Sequence, residues 1–177
     1  MTPEPGRWAA TFVFGRTILS LFDSGIDDGA RHAYEIYVNG HRRDPIYIQR
    51  HFIPSVGGYG DNRFAVWGGS VSVFGSVEPS NYRVLAHSEP ILAIYRIRDG
   101  WCVVSELSVS LIDETCKAVS SEMHDEVIVS SSWHNGILCL EDFEKRHLFF
   151  EVDEEKMLLR IASGDVIRHR DQLDNQK

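Results

Sequence analysis

Between Asp61 and Gly136 one pattern is written twice, and no other feature of the chain constrains its fold as strongly. A turn pair (Asp61-Asn62, Asp99-Gly100, then Asn135-Gly136) is followed each time by a short apolar run: Phe64-Ala65-Val66-Trp67, Trp101-Cys102-Val103-Val104 and Ile137-Leu138-Cys139-Leu140. An alternating segment comes next, Ser70-Val71-Ser72-Val73-Phe74 in the first copy and Ser108-Val109-Ser110-Leu111-Ile112 in the second. Each copy closes on His-x-Glu-x-Ile, at His87-Ser88-Glu89-Pro90-Ile91 and at His124-Asp125-Glu126-Val127-Ile128. The two copies are offset by roughly 37 residues, a period that marks a chain stacking one small supersecondary unit on the next.

The pattern extends in both directions. At an offset of 52, Phe12 pairs with Phe64, Phe14 with Val66, Leu19 with Val71, Leu21 with Val73 and Phe22 with Phe74, without a gap. Asp44-Pro45-Ile46 then matches Glu89-Pro90-Ile91, and Asn39-Gly40 predicts a hairpin, since both residue types tolerate positive φ. A fourth, partial copy opens at Gly136 and is followed by the strands around Leu148–Val152 and Met157–Ile161. The expected organisation is a single domain over 1–177, with repeat units near 8–54, 61–98, 99–134 and 135–164. A polar tail, 165–177, repeats nothing and is left to solvent or to one closing edge strand.

No segment keeps a helical period over the window a helix needs. Short runs rich in Val, Ile, Phe, Tyr and Trp, broken by turns every eight to twelve residues or so, read as an all-β protein. Four units of three or four antiparallel strands resemble the blades of β-propeller repeat proteins. The resemblance runs over about Trp8 to Ile161, but no Trp-Asp dipeptide closes the strands and no kelch double glycine recurs, so no named family is implied. What it implies is a compact, propeller-like stack of four small meanders. Packing blades face to face buries surfaces that one twisted sheet cannot cover alone, and protects its edges. A β-sandwich of two meanders is the alternative.

Acidic residues number 26 against 18 basic, a formal net charge of -8. That balance disfavours a nucleic-acid phosphate binder and favours a cationic partner. Cys102, Cys116 and Cys139 carry no paired spacing, and two of them sit in apolar strands as small hydrophobes. A reducing, cytoplasmic setting is expected. The start, Met1 to Gly6, lacks the basic and apolar regions of a signal peptide, and no apolar run is long enough to span a bilayer.

Candidate chemistry is sparse. His87-x-Glu89 and His124-x-Glu126 place an imidazole and a carboxylate on one face of a strand, as metal ligands would be. Their recurrence at equivalent places instead predicts one turn made twice. Ser130-Ser131-Ser132-Trp133-His134 gives no catalytic pair, because strand neighbours face opposite sides. Gly57-Gly58-Tyr59-Gly60-Asp61 does not run from a strand into a helix, and reads as a flexible loop between units. No catalytic residue, metal site or cofactor is therefore expected.

Two acidic groups remain, Glu141, Asp142 and Glu144 around Phe143, and Glu151, Asp153, Glu154 and Glu155 in the next turn. An aromatic ringed by carboxylates has the composition of an interface hot spot. The expected binding residues are Glu141, Asp142, Phe143, Glu144, Asp153, Glu154, Glu155 and Trp133, facing a basic protein. The functional expectation is a non-enzymatic protein-binding module, in its sharpest form an immunity or inhibitor protein that covers the active site of a basic toxin such as a nuclease. No nucleic acid or membrane partner is expected. The alternatives are a metal- or small-molecule-binding enzyme at a channel mouth, with His41, His87 and His124 converging there, and a self-associating structural subunit.

Overall fold

The computed structural model describes residues 9–26, 31–59, 62–77 and 81–162; the tail from 165 onward and Asp61 lie outside them. Contacts divide the chain into two compact units, Met1–Ile91 and Leu92–Lys177. The first contains β1 (Ala9–Phe14), β2 (Thr17–Ile26), β3 (Arg31–Val38) and β4 (His41–Gln49) as one sheet. Its second sheet is β5 (Ser55–Tyr59), β6 (Arg63–Gly68), β7 (Val71–Ser76) and β8 (Asn81–Ala86). The second unit is built from β9 (Ile91–Ile97), β10 (Gly100–Ser105), β11 (Ser108–Asp113) and β12 (Ala118–Met123), then β13 (Ile128–His134), β14 (Ile137–Asp142), β15 (His147–Asp153) and β16 (Leu158–Ile161). In all four sheets the strands lie side by side in chain order, so the fold is all-β and each sheet is a four-stranded meander.

Alternation sets the faces. On β3, Tyr34, Ile36 and Val38 are buried while Glu35 and Tyr37 stand on the opposite face. The inner strand β10 is buried at every position, as befits a strand covered on both faces. One apolar core in each unit results: Leu19, Ile36, Ile46 and Phe64 anchor the first, and Cys102, Leu111, Leu138 and Phe150 the second. Burial pushes the Cys102 thiol up to about 12, so it packs as a hydrophobe. Cys116 and Cys139 are half-buried, and all three cysteines are free.

The Asn39-Gly40 hairpin forms as read, with φ of 49° and 80°, and Asn135-Gly136 repeats it at 48° and 77°. Both positive angles belong to the type I′ turn, whose twist matches that of the flanking strands. The glycine-rich stretch is different from its sequence reading. Ser55 to Tyr59 is strand β5, paired along its length with β6, and not a flexible loop. A Cβ on Gly58 would fall 2.1 Å from the Phe14 ring, so the missing side chain is what lets that ring close on the strand. Gly75 does the same for Phe64, whose ring would stand 2.2 Å from an added Cβ.

Sequence repeat and sheet are out of phase by one strand. The strand that follows each His-x-Glu motif, β9 or β13, opens the next meander rather than closing its own. The offset of 52 likewise aligns β1, a half-exposed edge strand, with β6, which lies between β5 and β7 and is buried.

Candidate functional site

The two His-x-Glu-x-Ile motifs do identical work. The His87 N–H donates to the Ser70 carbonyl at 2.7 Å and the Ile91 N–H to that of Gly69 at 2.8 Å. Seventeen and twenty-two residues separate donor from acceptor, and the same separations recur at His124 to Leu107 (2.8 Å) and Ile128 to Glu106 (2.6 Å). Each motif therefore straps the turn between the second and third strands of its sheet and leads the chain into the next one. The rings have separate partners: His87 Nε2 shares a hydrogen bond with the buried Ser72 Oγ at 2.7 Å, and His124 Nε2 donates to Asp142 Oδ2 at 3.3 Å. Burial holds the His87 imidazole below its ordinary pKa. Among the described residues, no group of three or more His, Cys, Asp or Glu side chains gathers as metal ligands would.

Asp142, expected on an exposed acidic rim, is instead fully buried. It ends β14 and organises the five-residue turn to Arg146. Its Oδ1 accepts the Arg146 backbone N–H at 2.9 Å and its Oδ2 accepts the Arg146 guanidinium at 2.7 Å, while the backbone closes through Lys145 N–H to Asp142 O at 3.0 Å. Lys145 takes the left-handed conformation the turn needs, φ 67°. Burial alone would raise the Asp142 carboxyl, but the Arg146 N–H, its guanidinium and His124 outweigh it and hold the group at about 2.

This pinned turn presents Phe143, 73% exposed. Its backbone N–H donates to the carbonyl of Val127, itself an exposed apolar residue, at 2.8 Å. Around them stand Glu141, paired with Lys145 at 3.0 Å, and Glu144 and Asp125, which face Arg146 at 3.5 and 3.9 Å. With Asp142 included, carboxylates outnumber the two cations, and the turn remains negative.

The other expected binding residues fare differently. Asp153 caps its own turn by accepting the Lys156 N–H at 3.1 Å, and it also meets Lys156 Nζ and Arg160. Glu154 accepts the Arg98 backbone N–H at 2.7 Å, and Glu155 pairs with the Arg98 side chain at 3.4 Å. Two of these acids, Asp153 and Glu155, thus meet the three cations Lys156, Arg160 and Arg98, while Glu154 is spent on a backbone N–H. Trp133 is half-buried and stacks on Tyr95, centroids 5.7 Å apart, so it is committed to packing between β9 and β13.

The sequence reading missed that the acids are turn-formers, although the signal was present. Asp113-Glu114-Thr115-Cys116-Lys117 and Asp142-Phe143-Glu144-Lys145-Arg146 share an Asp first and a basic residue last. Asp113 indeed accepts the Lys117 N–H at 2.9 Å, and Cys116 has φ 66°.

No family model and no curated protein matches the chain. Solved structures do. The crystal structure of HIRA(644-1017) is similar over 90% of this chain at 11% identity, with a TM-score of 0.50. BBS1N, crystallised in complex with ARL6DN, is similar over 92% at 9% identity, with a TM-score of 0.51. The fold is propeller-like. The chain spans little more than half the length of either match, 54% and 57%. No helix among the described residues is long and apolar enough to cross a membrane.

Proposed function

We propose that this protein is a non-enzymatic module that binds another protein through the turn between β14 and β15. The observation that carries the reading is Phe143, an aromatic ring 73% exposed on a turn whose backbone is fixed by the buried Asp142 carboxylate and its pair with Arg146. An anchor held in place before binding loses little conformational freedom on docking, and burying one ring contributes about 2 kcal/mol. The negative surround selects a basic partner and speeds encounter. Of the structural neighbours, BBS1N is itself seen in complex with a second protein.

In its finer form, the partner is a basic toxin such as a nuclease, and this protein is the immunity or inhibitor protein that covers the toxin's active site. Net charge -8 and the Phe143 turn support that form.

The experiment is affinity capture from the native host with wild type and Phe143→Ala, followed by binding measurements on the purified partner. A basic partner whose affinity falls roughly thirtyfold with Phe143→Ala is expected. A partner that binds both proteins equally removes Phe143 as the anchor. If the captured partner is an enzyme whose activity survives saturation with this protein, the inhibitor form fails while the binding module stands.

A further inference from the structure

The first unit carries a cleft whose chemistry is opposite to that of the Phe143 turn. On β4, the residues opposite Val38, Ile36 and Tyr34 are His41, Arg43 and Ile46, so Arg43 occupies the face of the sheet that points to the core. Three residues of β4 span the interval that two of β3 occupy, a bulge placed at Asp44-Pro45. Pro45 has no N–H to give to the ladder, and the extra residue restores the phase that turns Ile46 and Ile48 inward. The bulged Asp44 carbonyl is taken by the Tyr82 hydroxyl of β8. Beside this joint lies an open cleft of about 460 Å³ lined by Arg42, Arg43, Asp44, Pro45 and Tyr82.

The two arginines are treated unequally. Arg42, on the outer face, pairs with Glu35 at 2.9 Å, and Glu35 in turn accepts the Tyr37 hydroxyl at 3.0 Å. Arg43 is half-buried and close enough to Tyr82 to oppose the upward pull of burial on that phenol, yet it has no ion pair or side-chain hydrogen bond among the described residues. A half-desolvated guanidinium on a core-facing position, opening into a cleft with an aromatic and a proline wall, suits an oxyanion with an attached apolar group. The Asp44 carboxylate at the same lip repels a second negative charge. We propose that this cleft binds an aromatic or apolar monocarboxylate, its carboxylate on Arg43 and its body against Tyr82 and Pro45.

Benzoate titrated into the full chain, followed by the Tyr82 ring resonances and the Asp44 backbone amide in wild type and variants alike, tests this. Expected are a saturable shift, binding about tenfold weaker in Arg43→Gln, and an intermediate loss in Arg43→Lys, which keeps the charge without the fork. Should Arg43→Gln fail to fold, Arg43→Lys alone carries the test. Phenyl phosphate should bind wild type more weakly than benzoate and recover in Asp44→Asn. The proposal is overturned if the shift never saturates or if the arginine variants bind benzoate as wild type does. Tighter binding of phenyl phosphate to wild type would overturn the choice of a monocarboxylate.

Discussion

The turn from Asp113 to Lys117 and the turn from Asp142 to Arg146 share one backbone and differ in what they carry. In both, the aspartate carboxylate accepts the N–H four residues on, and the fourth residue is left-handed. In the first, Asp113 stays near solvent, Thr115 also donates to it, and the second residue is Glu114, paired with Arg96 at 3.2 Å. In the second, the aspartate is buried and tied to an arginine and a histidine, and the second residue is the exposed Phe143. A hairpin closure is thus a general device made by an Asp and a left-handed residue. The depth of the Asp and the identity of its neighbour turn one copy into a display platform.

The largest difference should appear on removing the carboxylates. Asp142→Ala removes the buried acceptor shared by the Arg146 backbone N–H, its guanidinium and the largely buried His124 imidazole, whereas the donors that Asp113→Ala releases lie near solvent. Melting by circular dichroism should show a fall in Tm of several degrees for Asp142→Ala and a clearly smaller one for Asp113→Ala. Equal losses would mean that burial adds nothing to the second turn.

What the sequence made legible follows from range. The Asn-Gly hairpins and the His-x-Glu-x-Ile straps are local or strictly periodic, and both are where the pattern puts them. The phase of the sheets was hidden, because a repeat read from turn to turn does not say with which neighbour its last strand pairs. Gly58 reads as loop in the sequence because its reason, the Phe14 ring, lies more than forty residues away. Composition alone reads Asp142 as a surface acid, because it counts charges and does not see Arg146 and His124 closing on one of them. Phe143 stands out in the sequence as an aromatic ringed by carboxylates, and the structure shows that ring exposed.

Exchanging the second residues sharpens the comparison on the binding side. Phe143→Glu should abolish partner capture while shifting Tm little, since that side chain buries almost nothing in the free protein. Glu114→Phe should not create capture, because the first turn lacks the negative surround. Capture by Glu114→Phe in the Phe143→Glu background would show that any exposed ring suffices.

Acid should separate the turns more gently. With Asp142 held at about 2 in the fold and near 3.8 when unfolded, the unfolded chain takes up the proton first as pH falls. The stabilisation is complete above about pH 4 and is lost progressively from there toward 2. Wild type should therefore lose more Tm over that window than Asp142→Asn, which has no carboxylate to titrate. Asp113, lowered by its Lys117 and Thr115 hydrogen bonds, should make Asp113→Asn deviate in the same direction. Parallel profiles for wild type and Asp142→Asn would contradict the role of Arg146 and His124 in holding the buried carboxylate ionised.

The smallest effect tests the shared backbone itself. Cys116 and Lys145 hold φ of 66° and 67°, a conformation in which an L side chain crowds the following carbonyl. Glycine relieves that crowding but makes the unfolded chain more flexible, so Cys116→Gly and Lys145→Gly should each gain roughly 0.5 to 1 kcal/mol. Lys145→Gly also gives up the exposed pair with Glu141, a loss of a few tenths of a kcal/mol at about 0.1 M salt. Its gain should fall just short of that of Cys116→Gly at low salt and approach it as salt is raised. Destabilisation by either glycine would mean that the two turns are held by their side chains and not by the left-handed residue that they have in common.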